Sequence, residues 1–511
     1  MHYQKKRAEC ESIFLPHNSC SLTLPFRFRW VFCQLDALRQ CLPSSLRRTL
    51  DELPESLDET YERIVKDIKK GIRSDAYRML QCLAVAVRPL SVAELAEVLA
   101  FDFDASATKD GIPKLNSKWR WEDHEQAVLS TCSSLITIVP IDDSPVVQFS
   151  HFSVKEFLLS ERLATSTKDI SQYHITLENA NTLTAKSCLG VLLRDPLDES
   201  GAATSPSPLA QYAAEHWVAH AKVENVATYI RDGIESLFDW DQPFFLAWLK
   251  LHNAGNAEWP TDLVDKIRPE AAPLYHAAFH GFHEIVERLS LNHPQYVNAI
   301  SGRGGTALHS ASEAGHVEVV RSLLKCGAEV DILSVLNMSS LQFASLHGHL
   351  SVVQCLLDHG ADVNHQDDLH RTPLTLATEE GYLDIVRMLL ENDADINFQD
   401  KDGMTSLHRM FLIPTLSEGD RRPQVVRFLL ERGTNPHARD NKGRTPLHVA
   451  SLPSKFYYTR MLSLRLEIAP ILLAHGADID SEDEEGRTPL QVALASGETE
   501  MAQLLSEYRS N

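Results

Sequence analysis

The 511-residue chain lacks the features that would place it outside an ordinary intracellular setting. It has no 18-residue apolar run, so no segment reads as a transmembrane helix. Its nine cysteines are odd in number and scattered, without any C-x-x-C pair. That excludes a disulfide framework and implies buried thiols in a reducing compartment. Basic excess is also missing: 49 Lys and Arg stand against 70 Asp and Glu, a formal net charge of −21. A surface built mainly to neutralise phosphate or anionic lipid is therefore not expected. Near the start, Pro16, His17 and Asn18 interrupt what would be the apolar core of a signal peptide. The expected compartment is the cytoplasm, with the nucleus as an alternative. The 43% of hydrophobic residues is ample for packed cores.

A repeat fills the second half. One theme recurs as APLYHAA, TALHSAS, SSLQFAS, TPLTLAT, TSLHRMF, TPLHVAS and TPLQVAL. The separations of its central leucines, from Leu274 to Leu490, are 34, 33, 33, 33, 40 and 43. A second, more apolar theme follows each first one, as in EVVRSLLKCGAEVD and SVVQCLLDHGADVN. The two long spacings come from insertions between the paired themes, MFLIPTLSEGDRRP in the fifth unit and SLPSKFYYTRMLSLR in the sixth. Thr can cap the first helix with Pro in its first turn, and Gly315, Gly348 or Gly381 can end it. Gly327, Gly360, Gly433 and Gly476 close the second helix. One such helix pair cannot bury its apolar face alone, whereas stacked neighbours form a continuous core. The array resembles ankyrin repeats. The resemblance implies that the TPLH histidines, His309, His408 and His448, bond between adjacent units rather than hold a metal.

The first half has a different pattern. Ser56–Glu59, Ser91–Glu94 and Ser153–Glu156 each read as a capping box opening a helix, and Ala76 to Val87 as a further buried helix. SLITIV (134–139) and VVQFS (146–150) flank PIDDSP as a β-hairpin. Helices followed by a small hairpin outline a winged helix. The candidate recognition helix, VAELAEVLAF, carries two glutamates and no Lys or Arg, which counts against insertion into a DNA groove.

The segments FRWVFCQLDALRQC (28–41), LPESLDETYERIV (53–65), RPLSVAELAEVLAF (88–101) and FSHFSVKEFL (149–158) resemble the region behind the nucleotide-binding domain of fungal NACHT proteins. SPLAQYAAEHWVAHA (207–221) and ESLFDWDQPFFLAWLKL (235–251) are similar to the helical connector that precedes ankyrin repeats in the same proteins. The fold class expected is mainly α: a winged-helix and helical module, a helical connector, then an ankyrin α-solenoid. The boundaries expected are 1–52 for the end of a NACHT domain, 53–165 for the winged-helix module, 166–271 for the connector and 272–511 for about seven repeats. The resemblance implies an NLR-like, switch-type receptor. However, the chain contains no G-x-x-x-x-G-K-[ST], the loop whose backbone cradles phosphates. No cofactor is therefore expected. His151, which aligns with a nucleotide-approaching histidine of related switch proteins, is followed by Phe152 instead of Asp and reads as a core or capping residue.

Catalytic patterns fail as well. His216 and His220 lie four apart on a helix, but the H-E-x-x-H order is absent. No G-x-S-x-G elbow and no G-x-G-x-x-G occurs. The run EDEE (482–485) reads as a solvated tip. Function is expected at the repeat tips and concave face: Val335, Leu336, Met338, Leu346 and His347 in the third unit, with Asp368, Leu369, Arg371, Glu379 and Glu380 in the fourth. An apolar cluster rimmed by acids suits a protein-binding patch. Residues 272–511 hold 32 acidic against 20 basic side chains, so the partner expected is a protein of basic or mixed surface, with neither nucleic acid nor membrane. The function expected is non-catalytic scaffolding. A nuclear transcriptional adaptor and a truncated signalling NTPase lacking its phosphate loop are the alternatives.

Overall fold

A computed structural model describes residues 56–510, apart from 104–110, 133, 142–143, 195–206, 254–268, 303, 413–420 and 454–458. The expected NACHT remnant (1–52) and most of the insertion in the fifth repeat lie outside these residues. The chain divides into two compact units, Met1–Leu237 with Gln242–Gly255 and Phe238–Asp241 with Asn256–Asn511.

Among the described residues, the first unit opens with α1 (Leu57–Asp67) and α2 (Arg73–Val85), which ends ahead of the Arg88-Pro89 break. Then come β1 (Leu90–Ser91), α3 (Val92–Val98), β2 (Phe101–Asp102), β3 (Lys114–Leu115) and α4 (His124–Cys132). The expected hairpin is β4 (Ile136–Val139) and β5 (Val146–Phe149), antiparallel with Ile136 opposite Phe149. Its sheet has a third strand, because Leu90 pairs with Val147 and gives the order β1-β5-β4. This is a winged-helix domain.

Short α5 (Phe152–Leu158), α6 (Glu161–Ala164) and α7 (Lys168–Ser171) lead into the long α8 (Leu177–Leu192). Helix α9 (Ala210–Ala221) packs along α8, which itself packs against α2. Small α10 (Val226–Tyr229) and α11 (Arg231–Leu237) precede α12 (Phe244–Asn253). Trp217 and Trp248 are fully buried edge to face, and the Trp248 indole donates to the Ala214 carbonyl at 3.0 Å.

One expected cap is corrected. Helix α5 is capped by His151, whose Nδ1 accepts from the Ser153 N–H at 3.2 Å, not by Ser153. The Ser153 hydroxyl is taken up by His151 Nδ1 (2.6 Å) and the Tyr61 hydroxyl (2.8 Å), so it cannot cap the next turn. At Ser91 both reciprocal bonds of the capping box form.

The second unit is an ankyrin solenoid of seven helix pairs. They are α13 (Ala272–His280) with α14 (His283–Asn292), α15 (Ala307–Ala314) with α16 (Val317–Lys325), α17 (Ser340–Leu346) with α18 (Leu350–Asp358), and α19 (Pro373–Glu379) with α20 (Leu383–Glu391). The others are α21 (Ser406–Arg409) with α22 (Arg422–Glu431), α23 (Pro446–Ala450) with α24 (Thr459–Ala474), and α25 (Pro489–Ser496) with α26 (Thr499–Ser510). First helices contact first helices along the stack, and second helices contact second, which buries the repeated Leu and Val positions.

Left-handed residues end the helices as the pattern requires. Gly315 (φ 78°) also has a steric reason, since a Cβ there would lie 2.4 Å from the His349 ring of the next unit. Where the fourth unit has no glycine after its second helix, Asp393 takes the left-handed conformation at φ 64°. Among the described residues, no helix is long and apolar enough to cross a membrane.

Candidate functional site

The surface of the array follows from a polar framework inside it. In the second unit the Thr306 backbone N–H donates to His309 Nδ1 at 3.1 Å. That bond leaves the proton on Nε2, which donates to the Met338 carbonyl of the next unit at 3.0 Å. Burial pushes the His309 imidazole down to about 4, so it is neutral at physiological pH. His408 bonds the Arg444 carbonyl (3.0 Å) and His448 the Arg487 carbonyl (2.9 Å) in the same way. In the third unit Gln342 substitutes, donating to the Arg371 carbonyl at 2.7 Å. These histidines are struts whose two nitrogens are both committed to backbone.

The tips rest on a second device. Asp367, Asp400, Asp440 and Asp483 each stand five residues before a cap Thr. Each accepts the backbone N–H groups two and four residues on, for Asp367 those of Leu369 (2.9 Å) and Arg371 (2.8 Å). Asp367, Asp440 and Asp483 also bind Arg371, Arg444 and Arg487. Burial raises the Asp440 carboxyl, but Arg444 and the backbone donors outweigh it and hold the group below the usual carboxylate range. A further ladder runs along the array, in which Asn298, Asp331, Asn364 and Asn397 accept the N–H of Glu329, Asp362, Asp395 and Asn435. Sequence reading missed both devices, although the Asp five residues before Thr was a visible signal.

The fourth unit has Thr375 where a histidine or glutamine strut would stand, and Thr375 reaches only Thr372 (3.1 Å). A buried ionic cluster occupies this junction. Glu379 meets Arg409, Arg409 binds Asp400 at 2.8 Å, and Arg371 approaches Glu379 at 4.0 Å. Burial raises the Glu379 carboxyl, opposed by Arg409.

Two candidate surface residues are thereby corrected. Glu379 is fully buried, because its carboxylate serves the ionic cluster. Met338 is buried in the junction with the second unit, where its carbonyl accepts from His309 Nε2 and its N–H donates to the Ser334 hydroxyl oxygen (3.2 Å). Val335 is half-buried against the neighbouring tip and donates to the Gly304 carbonyl at 2.8 Å. Arg371 is held by Asp367, while Leu346 and Glu380 are half-buried. His347 and Asp368 are exposed, and so are Leu336 at 57% and Leu369 at 41%. The third and fourth tips are clamped together: Asn337 Nδ2 donates to the Gln366 carbonyl (3.2 Å) and His365 Nε2 to the Asn337 carbonyl (2.9 Å). In the last unit, Asp483 of EDEE is buried on Arg487, whereas Glu482, Glu484 and Glu485 are solvated.

The winged helix offers no comparable surface on α3. Glu94 and Glu97 are buried: Glu94 accepts from Arg88 (2.7 Å) and Glu97 from Arg120 Nε (2.9 Å) and the Ser207 hydroxyl (2.7 Å). His220 is buried between Tyr212 (2.8 Å) and Asn181 (2.7 Å), and burial pushes it down to about 4. Among the described residues no three His, Cys, Asp or Glu side chains converge as metal ligands.

Residues 246–334, 326–400 and 416–511 match the family of ankyrin repeats, and residues 61–168 match the winged helix domain of GPI inositol-deacylase. The chain is similar to the azaphilone pigments biosynthesis cluster protein L of Monascus ruber, at 33% identity over 284 residues. That match covers 52% of this chain and 58% of the relative, so the chain spans less than two thirds of the relative's length. Among solved structures, the human ASB11 ankyrin repeat domain matches at 25% identity with a TM-score of 0.39, covering 46% of this chain and 97% of that one. The ankyrin repeat domain of Bcl-3 matches at 25% identity and 0.38, with the same coverage. The chain thus carries a winged-helix domain of the GPI inositol-deacylase type together with ankyrin repeats.

Proposed function

We propose that this chain is a non-catalytic receptor or scaffold of the NACHT-associated, NLR-like type, working in the cytoplasm. It captures a protein partner on the tips of its third and fourth repeats. Stacked repeats of this kind present extended surfaces that bind other proteins. One observation carries the reading: Leu336 and Leu369 stand exposed on tips that are hydrogen-bonded to each other, beside the exposed Asp368. Large apolar side chains held on a rigid backbone lose little entropy when a partner covers them. The acidic excess of the array favours a partner of basic or mixed surface. Within the array, His309, His408 and His448 are unavailable as bases, because their ring nitrogens are engaged with backbone groups. A DNA-reading adaptor is the weaker alternative, since α4, the helix that directly precedes the β4–β5 hairpin, carries Glu125 and no Lys or Arg.

The test is affinity capture of protein partners by the full chain and by its Leu336→Ser/Leu369→Ser variant. The proposal expects retention of the specific partner to fall about tenfold. Unchanged retention would refute the assignment of these tips.

A further inference from the structure

The winged-helix domain has an open groove of about 560 Å³ that the array does not explain. Its lining is mixed, with the half-buried apolar side chains of Ile72, ahead of α2, and Leu99, at the end of α3, beside the polar Asp75, Ser130 and Thr131. Its rim holds Trp119 and Trp121, 48% and 46% exposed. The chain has seven tryptophans. Trp217 and Trp248 are buried and Trp240 stacks on Tyr296, so the rim pair are the two most exposed among the described residues. Leaving two indoles in water is unfavourable by the apolar area they expose, and no local contact of either ring requires it.

The charge of the groove is also unusual for this chain. Its lining contains Arg78, Lys118 and Arg120 against the single carboxylate of Asp75. Arg120 is neutralised from beneath by Glu97, and Arg78 is shared between Asp75 (3.4 Å) and the face of Phe103 (4.6 Å). Lys118 is exposed and forms no ion pair among the described residues. One exposed cation outside these ion pairs, Lys118, therefore stands beside the two aromatic rings. Exposed tryptophan is among the residues that dominate binding energy at protein interfaces.

We infer that this groove is a second docking surface, which takes a short segment of a partner protein carrying a carboxylate beside a large apolar side chain. The apolar side chain enters between Trp119 and Trp121 onto Ile72 and Leu99, and the carboxylate meets the Lys118 ammonium. Docking would proceed independently of the repeat tips, because every residue of the groove belongs to the first unit.

A synthetic peptide alternating glutamate with leucine, titrated into the full chain and followed by tryptophan emission and peptide anisotropy, tests this. Saturable binding is expected, weakened about tenfold in Lys118→Glu and in Trp119→Ala/Trp121→Ala. It should weaken as salt is raised and be unchanged in Leu336→Ser/Leu369→Ser. Lys118→Glu alters only an exposed side chain, so it decides the matter even if the double tryptophan variant unfolds. The inference is overturned by an absence of saturable binding, by equal affinity for Lys118→Glu, or by equal affinity for a lysine–leucine peptide. It is also overturned if a single-stranded oligonucleotide quenches these tryptophans where the acidic peptide does not.

Discussion

The two units use charge in opposite ways. In the winged-helix unit, Glu94 and Glu97 are drawn inward onto Arg88 and Arg120, and α3 is consumed by packing. In the repeat unit, buried polar groups are spent on backbone, through His309, His408 and His448 between units and Asp367, Asp440 and Asp483 within tips. Because the backbone is satisfied from within, the outermost tip residues are free to differ from one unit to the next.

The largest expected effect breaks the first unit. Arg120→Ala leaves the Glu97 carboxylate buried beside Ser207 without its cation, which should cost roughly 3 kcal/mol in chemical denaturation. A smaller loss would mean that water reaches Glu97 and that this side of α3 is open. Next is His309→Ala, which strips the Thr306 N–H and the Met338 carbonyl of their partner and should cost about 2 kcal/mol. Loss of secondary structure confined to the repeat unit would confirm that the struts act there.

The same histidines set a pH dependence. A neutral-favouring fold holds His309 at about 4 against an ordinary 6.5, so the unfolded chain takes up the proton first as pH falls. Burial depresses His408 and His448 in the same direction. Stability contributed by these groups is whole above about pH 6.5 and is lost on acidification towards pH 4. Thermal unfolding at pH 7.5 and pH 5 should show the repeat unit weakening at the lower value, and the His309→Ala variant should show a shallower slope. The smallest structural effect belongs to Leu336→Ser/Leu369→Ser, which should shift Tm by no more than a few degrees. A collapse in Tm would make these residues core instead of surface.

Much of the array was legible because its signals are periodic. The leucine spacing gave seven units, the Thr-Pro pairs their helix starts, and the insertions their positions. Met338 and Glu379 were misplaced because tip position alone does not decide exposure. The backbone of Met338 is tied to the preceding unit by the strut from His309, and the Glu379 carboxylate is drawn inward by Arg409, which stands 30 residues away in the next unit. Arg409 is itself unannounced, since Phe343, Leu376 and Val449 fill the same place in other repeats. In the first unit, β1 and the β2–β3 pair are two residues long, too short to show an alternation. The Trp119 and Trp121 rim was present as SKWRWED, but only the fold brings α2 and α4 beneath it.

The most direct measurement is hydrogen exchange of the full chain with and without its captured partner. The account predicts slowed exchange over 334–347 and 365–371, the linked tips of the third and fourth repeats, with the outer ends of the array unchanged. Protection confined to the winged-helix unit, with no change at those tips, would contradict it.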